Sequence, residues 1–247
     1  MKYQKSSMFL GALIAGTFLP LVASAGQVSM ELTGVEGPSM GGVYTSPYQA
    51  LLGPAGLTHS SQFTPSNSVK VDIYCDDFLR EVGVGIIWQA NVTSVGALAS
   101  NSSPLPLKFQ TGDLLTQRQD YIAEAYLAEE LSKVDQSTPA GKQEAGELSF
   151  AMWGIFDPGP GGALSRLSGT ELADATTDMT DAFTFTAGKS ASEFANVFIY
   201  TPDPTDASQE YLVVTNVPEP GTLALMVMGF VGLAAVVRRR VRTARAD

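Results

Sequence analysis

Histidine and cysteine each occur once in this 247-residue chain, as His59 and Cys75. An intramolecular disulfide is therefore impossible, and zinc sites built from the usual His and Cys ligands are excluded. A Ser-His-Asp or Cys-His arrangement would have to use His59. That residue sits in the Ser- and Thr-rich stretch Leu57–Ser68 and reads as an exposed loop residue. Basic residues are also scarce. Between Gly26 and Val217 there are 8 Lys and Arg against 23 Asp and Glu, a net charge of −15. Without a cluster of basic side chains to neutralise phosphates, nucleic acid is not an expected partner. No catalytic residue, cofactor or metal site is predicted.

What the chain does have is an apolar segment at each end. Lys2 and Lys5 precede a mostly apolar run from Met8 to Val22, and Ala23-Ser24-Ala25 has the small-x-small form that signal peptidase cuts. Residues 1–25 are read as a signal peptide, with cleavage after Ala25 and a mature start at Gly26. At the other end, Val217-Pro218-Glu219-Pro220 is followed by 17 uncharged residues, Gly221 to Val237, and then by Arg238-Arg239-Arg240. That run is just long enough to cross a bilayer as a helix, and the arginines hold its end on the cytoplasmic side. The segment 217–247 resembles the PEP-CTERM sorting signal, also labelled the ice-binding protein C-terminal domain, a name for the tail that implies no ice binding. The resemblance implies export in a Gram-negative bacterium, a membrane-anchored intermediate held by the C-terminal helix, and processing by an exosortase. It further implies delivery to the cell surface or an extracellular matrix, with extracellular polysaccharide as a partner.

The exported part, residues 26–216, is expected to be one α+β domain. Gln27–Leu32 alternates polar and apolar residues and predicts an edge strand. The Gly- and Pro-rich stretch Gly34–Gly56 predicts turns around a short strand near Val43-Tyr44. Val69–Phe78 predicts a strand with Val69, Val71, Ile73 and Cys75 facing inward, paired as a hairpin with a strand over Val82–Val92. Helical spacing predicts a helix over Gln117–Val134, with Gln117, Arg118, Gln119, Asp120, Glu124, Glu129 and Glu130 on its wet side. A second helix opens at Pro139 and runs to Phe156, and a third covers Thr170–Ala182. Val197–Thr201 and Glu210–Thr215 predict closing strands.

Chemistry concentrates around Tyr74-Cys75-Asp76-Asp77-Phe78 and, later, Ser149-Phe150-Ala151-Met152-Trp153. Cys75, Asp76 and Asp77 are the candidate site residues. Asp76 and Asp77 are paired carboxylates of the kind that hold a hard cation, but adjacent strand residues point to opposite faces and do not converge. The two motifs together resemble the thioester domains of bacterial surface proteins. In those domains an aromatic-Cys strand motif and a Gln-x-Ala-Ile-Trp helix motif imply a Cys–Gln internal thioester, which captures a nucleophile on a partner. Here Ser149 stands where that helix motif has its glutamine, and a hydroxyl cannot supply the acyl carbon. Gln143 lies six residues away. The expected function is that of a non-enzymatic exported surface or matrix protein. Two alternatives stand beside it: an exported carboxylate-dependent enzyme acting on polysaccharide, and a covalent adhesin working through Cys75.

Overall fold

The computed structural model describes residues 26–100, 105–110 and 112–215. Its centre is a closed six-stranded barrel. In chain order the barrel strands are β1 (Gln27–Val35), β4 (Tyr48–Pro54), β5 (Val69–Cys75), β6 (Ile87–Ser94), β7 (Val197–Pro202) and β8 (Tyr211–Val214). Around the barrel they run β1-β4-β5-β8-β7-β6, every neighbour antiparallel, with β6 closing back onto β1. β2 (Ser39–Met40) and β3 (Val43–Tyr44) form a small hairpin apart from it.

Three helices fill the gap between β6 and β7: α1 (Leu114–Leu131), α2 (Pro139–Phe156) and α3 (Gly169–Thr186). Asp113 caps α1 by accepting from the Leu115 and Thr116 N–H groups at 3.2 and 3.1 Å. Thr138 caps α2 by accepting from Gly141 N–H, with Pro139 at the first helical position. Gly146 lets α2 reach the small hairpin, since a Cβ there would lie 2.6 Å from Met40 Cε.

Period-two alternation divides the domain into two cores. The inward side chains Met30, Ala50, Ile73, Cys75, Ala90, Val92, Tyr211 and Val213 pack together inside the barrel, sealed at one end by Phe150 and Trp153 of α2. The outward faces of β5, β7 and β8, through Tyr74, Ile199 and Leu212, pack against Tyr121, Leu127, Leu148 and Met152 of the helices.

The α+β class is borne out, and so are the inward placement of Ile73 and Cys75 on β5 and the start and end of α2; Val69, expected inward, is 53% exposed. Four further local expectations are corrected. β1 is not an edge strand, because closure gives it partners on both sides. Tyr48–Pro54 is a barrel strand rather than a turn region, its Gly53 and Pro54 falling at the strand's end. The strand at β6 does not pair with β5 as a hairpin but with β1 and β7. On α1, Gln117 and Glu124 are buried instead of wet. Among the described residues no helix is long and apolar enough to cross a membrane. The predicted signal peptide with Ala23 and Ala25, and the tail with Val217, Pro218, Glu219, Pro220, Arg238, Arg239 and Arg240, lie outside the described residues. Gly26 is the first described residue, and its carbonyl accepts from Val92 N–H at 3.1 Å.

Candidate functional site

The end of β5 places Cys75 at the closed end of the barrel, fully buried. Its backbone N–H donates to Ser46 Oγ at 2.9 Å, and Ser46 N–H donates to Ser149 Oγ at 3.1 Å. Ser149 in turn donates to the Ala145 carbonyl one helical turn back. The residue standing at the expected glutamine position is thus a structural rivet tying α2 to the barrel, its hydroxyl both donating and accepting.

The thiol itself donates to the Asp77 carbonyl at 3.4 Å. That oxygen has a second donor, the Nε2 of Gln209, at 2.8 Å. Sulfur and carboxamide nitrogen therefore lie no farther apart than the sum of those two distances. The carboxamide is held on every side: Nε2 also donates to the Arg80 carbonyl at 2.6 Å, and Tyr211 Oη donates to Oε1 at 2.8 Å. Gln209 itself is buried. The Trp153 indole N–H lies beside the sulfur without reaching a hydrogen bond of good geometry. Burial, and then the Asp77 carboxylate, push the thiol well above its ordinary range, so it is protonated at neutral pH.

Sequence reasoning missed Gln209. It follows Asp77 by 132 positions, and only the β5–β8 pairing, with Cys75 opposite Tyr211, brings the two together. The signal available was the strand expected from Glu210 onward, which fixes Gln209 at the end of a strand just as Cys75 ends its own.

Asp76 and Asp77 do not converge. The Asp77 carboxylate forms an ion pair with Lys108 Nζ, which also donates to the Ser208 carbonyl at 2.8 Å. Asp76 turns to the helix side, where it joins Glu124 of α1 and Glu210 in a fully enclosed cluster. Glu210 accepts from Tyr121 Oη at 2.6 Å, from Lys108 N–H at 3.0 Å and from Thr201 Oγ1. No N–H or hydroxyl among the described residues reaches the carboxyl oxygens of Asp76 or Glu124, which face one another and Glu210 instead. Burial, then mutual repulsion, raises Asp76 and Glu124 well above the carboxylate range, and burial raises Glu210. Carboxyls that keep their protons donate to each other, which is how the cluster satisfies itself. Among the described residues no group of acidic, His or Cys side chains is arranged to hold a metal ion. His59 is exposed in a loop, as expected, with Nδ1 2.9 Å from Thr58 Oγ1.

A cleft of about 360 Å³ opens toward the thiol–carboxamide pair, with Gln209, Asp77 and Trp153 in its wall. Its outer lining includes Tyr44, Tyr48, Phe78, Arg80 and Arg166.

The family model for the PEP-CTERM protein-sorting motif matches residues 216–240, in agreement with the segment read from the sequence. This motif marks a protein exported in a Gram-negative cell and processed by an exosortase. No curated protein matches the chain. Among solved structures, the chain is similar to the N-terminal thioester domain of fibronectin-binding protein SfbI from Streptococcus pyogenes. Identity is 11% and the TM-score 0.39, over 78% of this chain and 95% of that one.

Proposed function

We propose that this chain is an exported, non-enzymatic cell-surface or matrix protein whose domain carries an internal thioester between Cys75 and Gln209. The observation that carries the reading is the shared acceptor: thiol and carboxamide both donate to the Asp77 carbonyl, the thiol buried and the carboxamide at the inner wall of the cleft. The step balances within the pair. Cys75 Sγ attacks Gln209 Cδ, the C–N bond breaks, and the thiol proton leaves on the nitrogen as ammonia. Tyr211 Oη already donates to Oε1, the oxygen on which negative charge develops. Burial of both residues keeps water from the product. An external amine or hydroxyl attacking the same carbon would release the Cys75 thiol and remain bound through an amide or ester.

The non-enzymatic reading draws support from the acids. Asp76, Glu124 and Glu210 are fully enclosed, and of the two acids in the cleft wall Asp77 is tied to Lys108, which leaves Glu81 without a second free carboxylate beside it for general acid–base work on a polysaccharide. The sorting motif supports export, and the reading takes from the sequence a signal peptide cut after Ala25, a domain over 26–216, and a membrane helix over 221–237 that serves during export.

Methylamine tests the electrophile. Treatment of the purified protein should add one methylamine at Gln209 and free one thiol for alkylation at Cys75. Recovery of neither change would overturn the reading.

A further inference from the structure

The cleft beside Gln209 has a chemistry of its own. The segment 26–215 contains three arginines, and two of them, Arg80 and Arg166, line this cleft although the segment as a whole is strongly acidic. The guanidinium of Arg166 lies 5.2 Å over the Phe78 ring, a cation–π contact that holds its planar face at the cleft wall. The Arg80 carbonyl holds the Gln209 carboxamide, so that arginine's side chain springs from the residue touching the electrophile. Of the acids in the wall, Asp77 is neutralised by Lys108, which leaves Glu81 against two arginines. The remaining lining is apolar, with Tyr44, Tyr48, Phe78 and Trp153 beside three valines, and Tyr44 presents 65% of its surface to solvent.

From the two arginines and the aromatic wall we infer that the cleft selects an acidic saccharide, a sugar ring bearing a carboxylate. A guanidinium binds a carboxylate through two parallel hydrogen bonds, a geometry that Lys or a neutral side chain cannot supply. Aromatic faces accept the apolar C–H face of a pyranose ring, and the cleft volume admits a sugar residue or two. The acidity of the rest of the domain opposes such a ligand only weakly, because at physiological salt it is screened beyond about 8 Å. Two arginines in the wall disfavour the opposite choice, a lysine side chain. Binding stands independently of the thioester, and only the capture step rests on it: a ring hydroxyl attacks Gln209 Cδ, its proton passes to the departing Cys75 sulfur, and an ester remains.

The test uses the full chain and three probes: trigalacturonate, maltotriose and a lysine-containing peptide. Binding is read by calorimetry on the C75A variant, which has no thioester, and capture by intact mass on the unaltered chain. C75A should bind trigalacturonate and neither of the other two, and R80Q or R166Q should each weaken that binding about tenfold. Equal binding of trigalacturonate and maltotriose by C75A, or none of trigalacturonate, would overturn the inference. Capture of the lysine peptide with no trigalacturonate binding would overturn it while leaving the thioester in place. Arginine-dependent trigalacturonate binding by a chain that has lost no ammonia would uphold the inference and remove the thioester.

Discussion

Cys75 and Gln209 donate to one and the same acceptor, the carbonyl oxygen of Asp77, at 3.4 and 2.8 Å. Two strand ends make this possible: β5 stops at Cys75 and β8 starts at Tyr211, and those two residues lie opposite each other in the barrel. A thiol with a raised pKa and a carboxamide with both amide hydrogens engaged form an unreactive pair until the amide carbonyl is polarised. Tyr211 is placed to do that.

Tyr211→Phe keeps the buried ring, which stacks on Trp88 at 5.7 Å, and removes the donor to Gln209 Oε1. Thioester formation should slow by about 10²-fold, the typical effect of losing one oxyanion donor. Stability should fall by only about 1 kcal/mol, one neutral hydrogen bond. Refolding followed by timed intact-mass measurement separates the two effects, and an unchanged formation rate would remove Tyr211 from the chemistry.

Lys108→Met leaves the Asp77 carboxylate buried with no counter-charge, since Lys108 supplies its ion pair. The change should cost about 3–5 kcal/mol, the penalty for breaking a buried pair on one side. Urea unfolding gives the value, and pairing the change with Asp77→Asn should recover a substantial part of it.

The carboxyl cluster sets a pH dependence. Asp76, Glu124 and Glu210 have folded-state pKa values above their unfolded ones, so the folded state binds more protons in the window between. Their stabilisation is complete below about pH 4 and is lost as pH rises through the folded values. Asp120, which repels Glu124 and is itself pushed up to about 6 by burial, adds to the same trend. The melting temperature should therefore fall as pH rises from 5 to 8. Glu124→Gln, an isostere with no charge to bury, should raise it at pH 8 by about 2–4 °C or more and flatten the slope. An unchanged slope would contradict the shared-proton description.

Removal of residues 217–247 should abolish exosortase processing and misplace the protein, leaving it in the periplasm or medium. Fractionation of cells expressing the truncated chain is the check; an unchanged location would show that the tail does not direct sorting.

The regular elements were largely readable because local pattern dictates them. Val69–Cys75 alternates strictly, and the second helix announces its start with Thr138-Pro139. What escaped was set by closure of the barrel. Tyr48–Pro54 looks like a turn region because its glycine and proline sit at the strand's end, where a closed barrel tolerates them. The partner of β6 could not be read because adjacent strands in the chain need not be adjacent in a Greek-key-like order. Glu124 was placed on the wet face since a charged residue is seldom buried, and only the neighbouring Asp76 and Glu210 make its neutral form acceptable there. The candidate site was half legible: Cys75 and Trp153 stood out, while Gln209 lies far along the chain and Ser149 drew attention to the wrong place.

The most direct test of the central claim is the intact mass of the folded protein before any treatment, with Cys75→Ala alongside. The account predicts a mass short by one ammonia, about 17 Da, and a cross-linked peptide pair joining Cys75 to Gln209, with the full mass restored in the variant. A full mass in the unaltered protein, with Cys75 free to alkylate on unfolding, would contradict it.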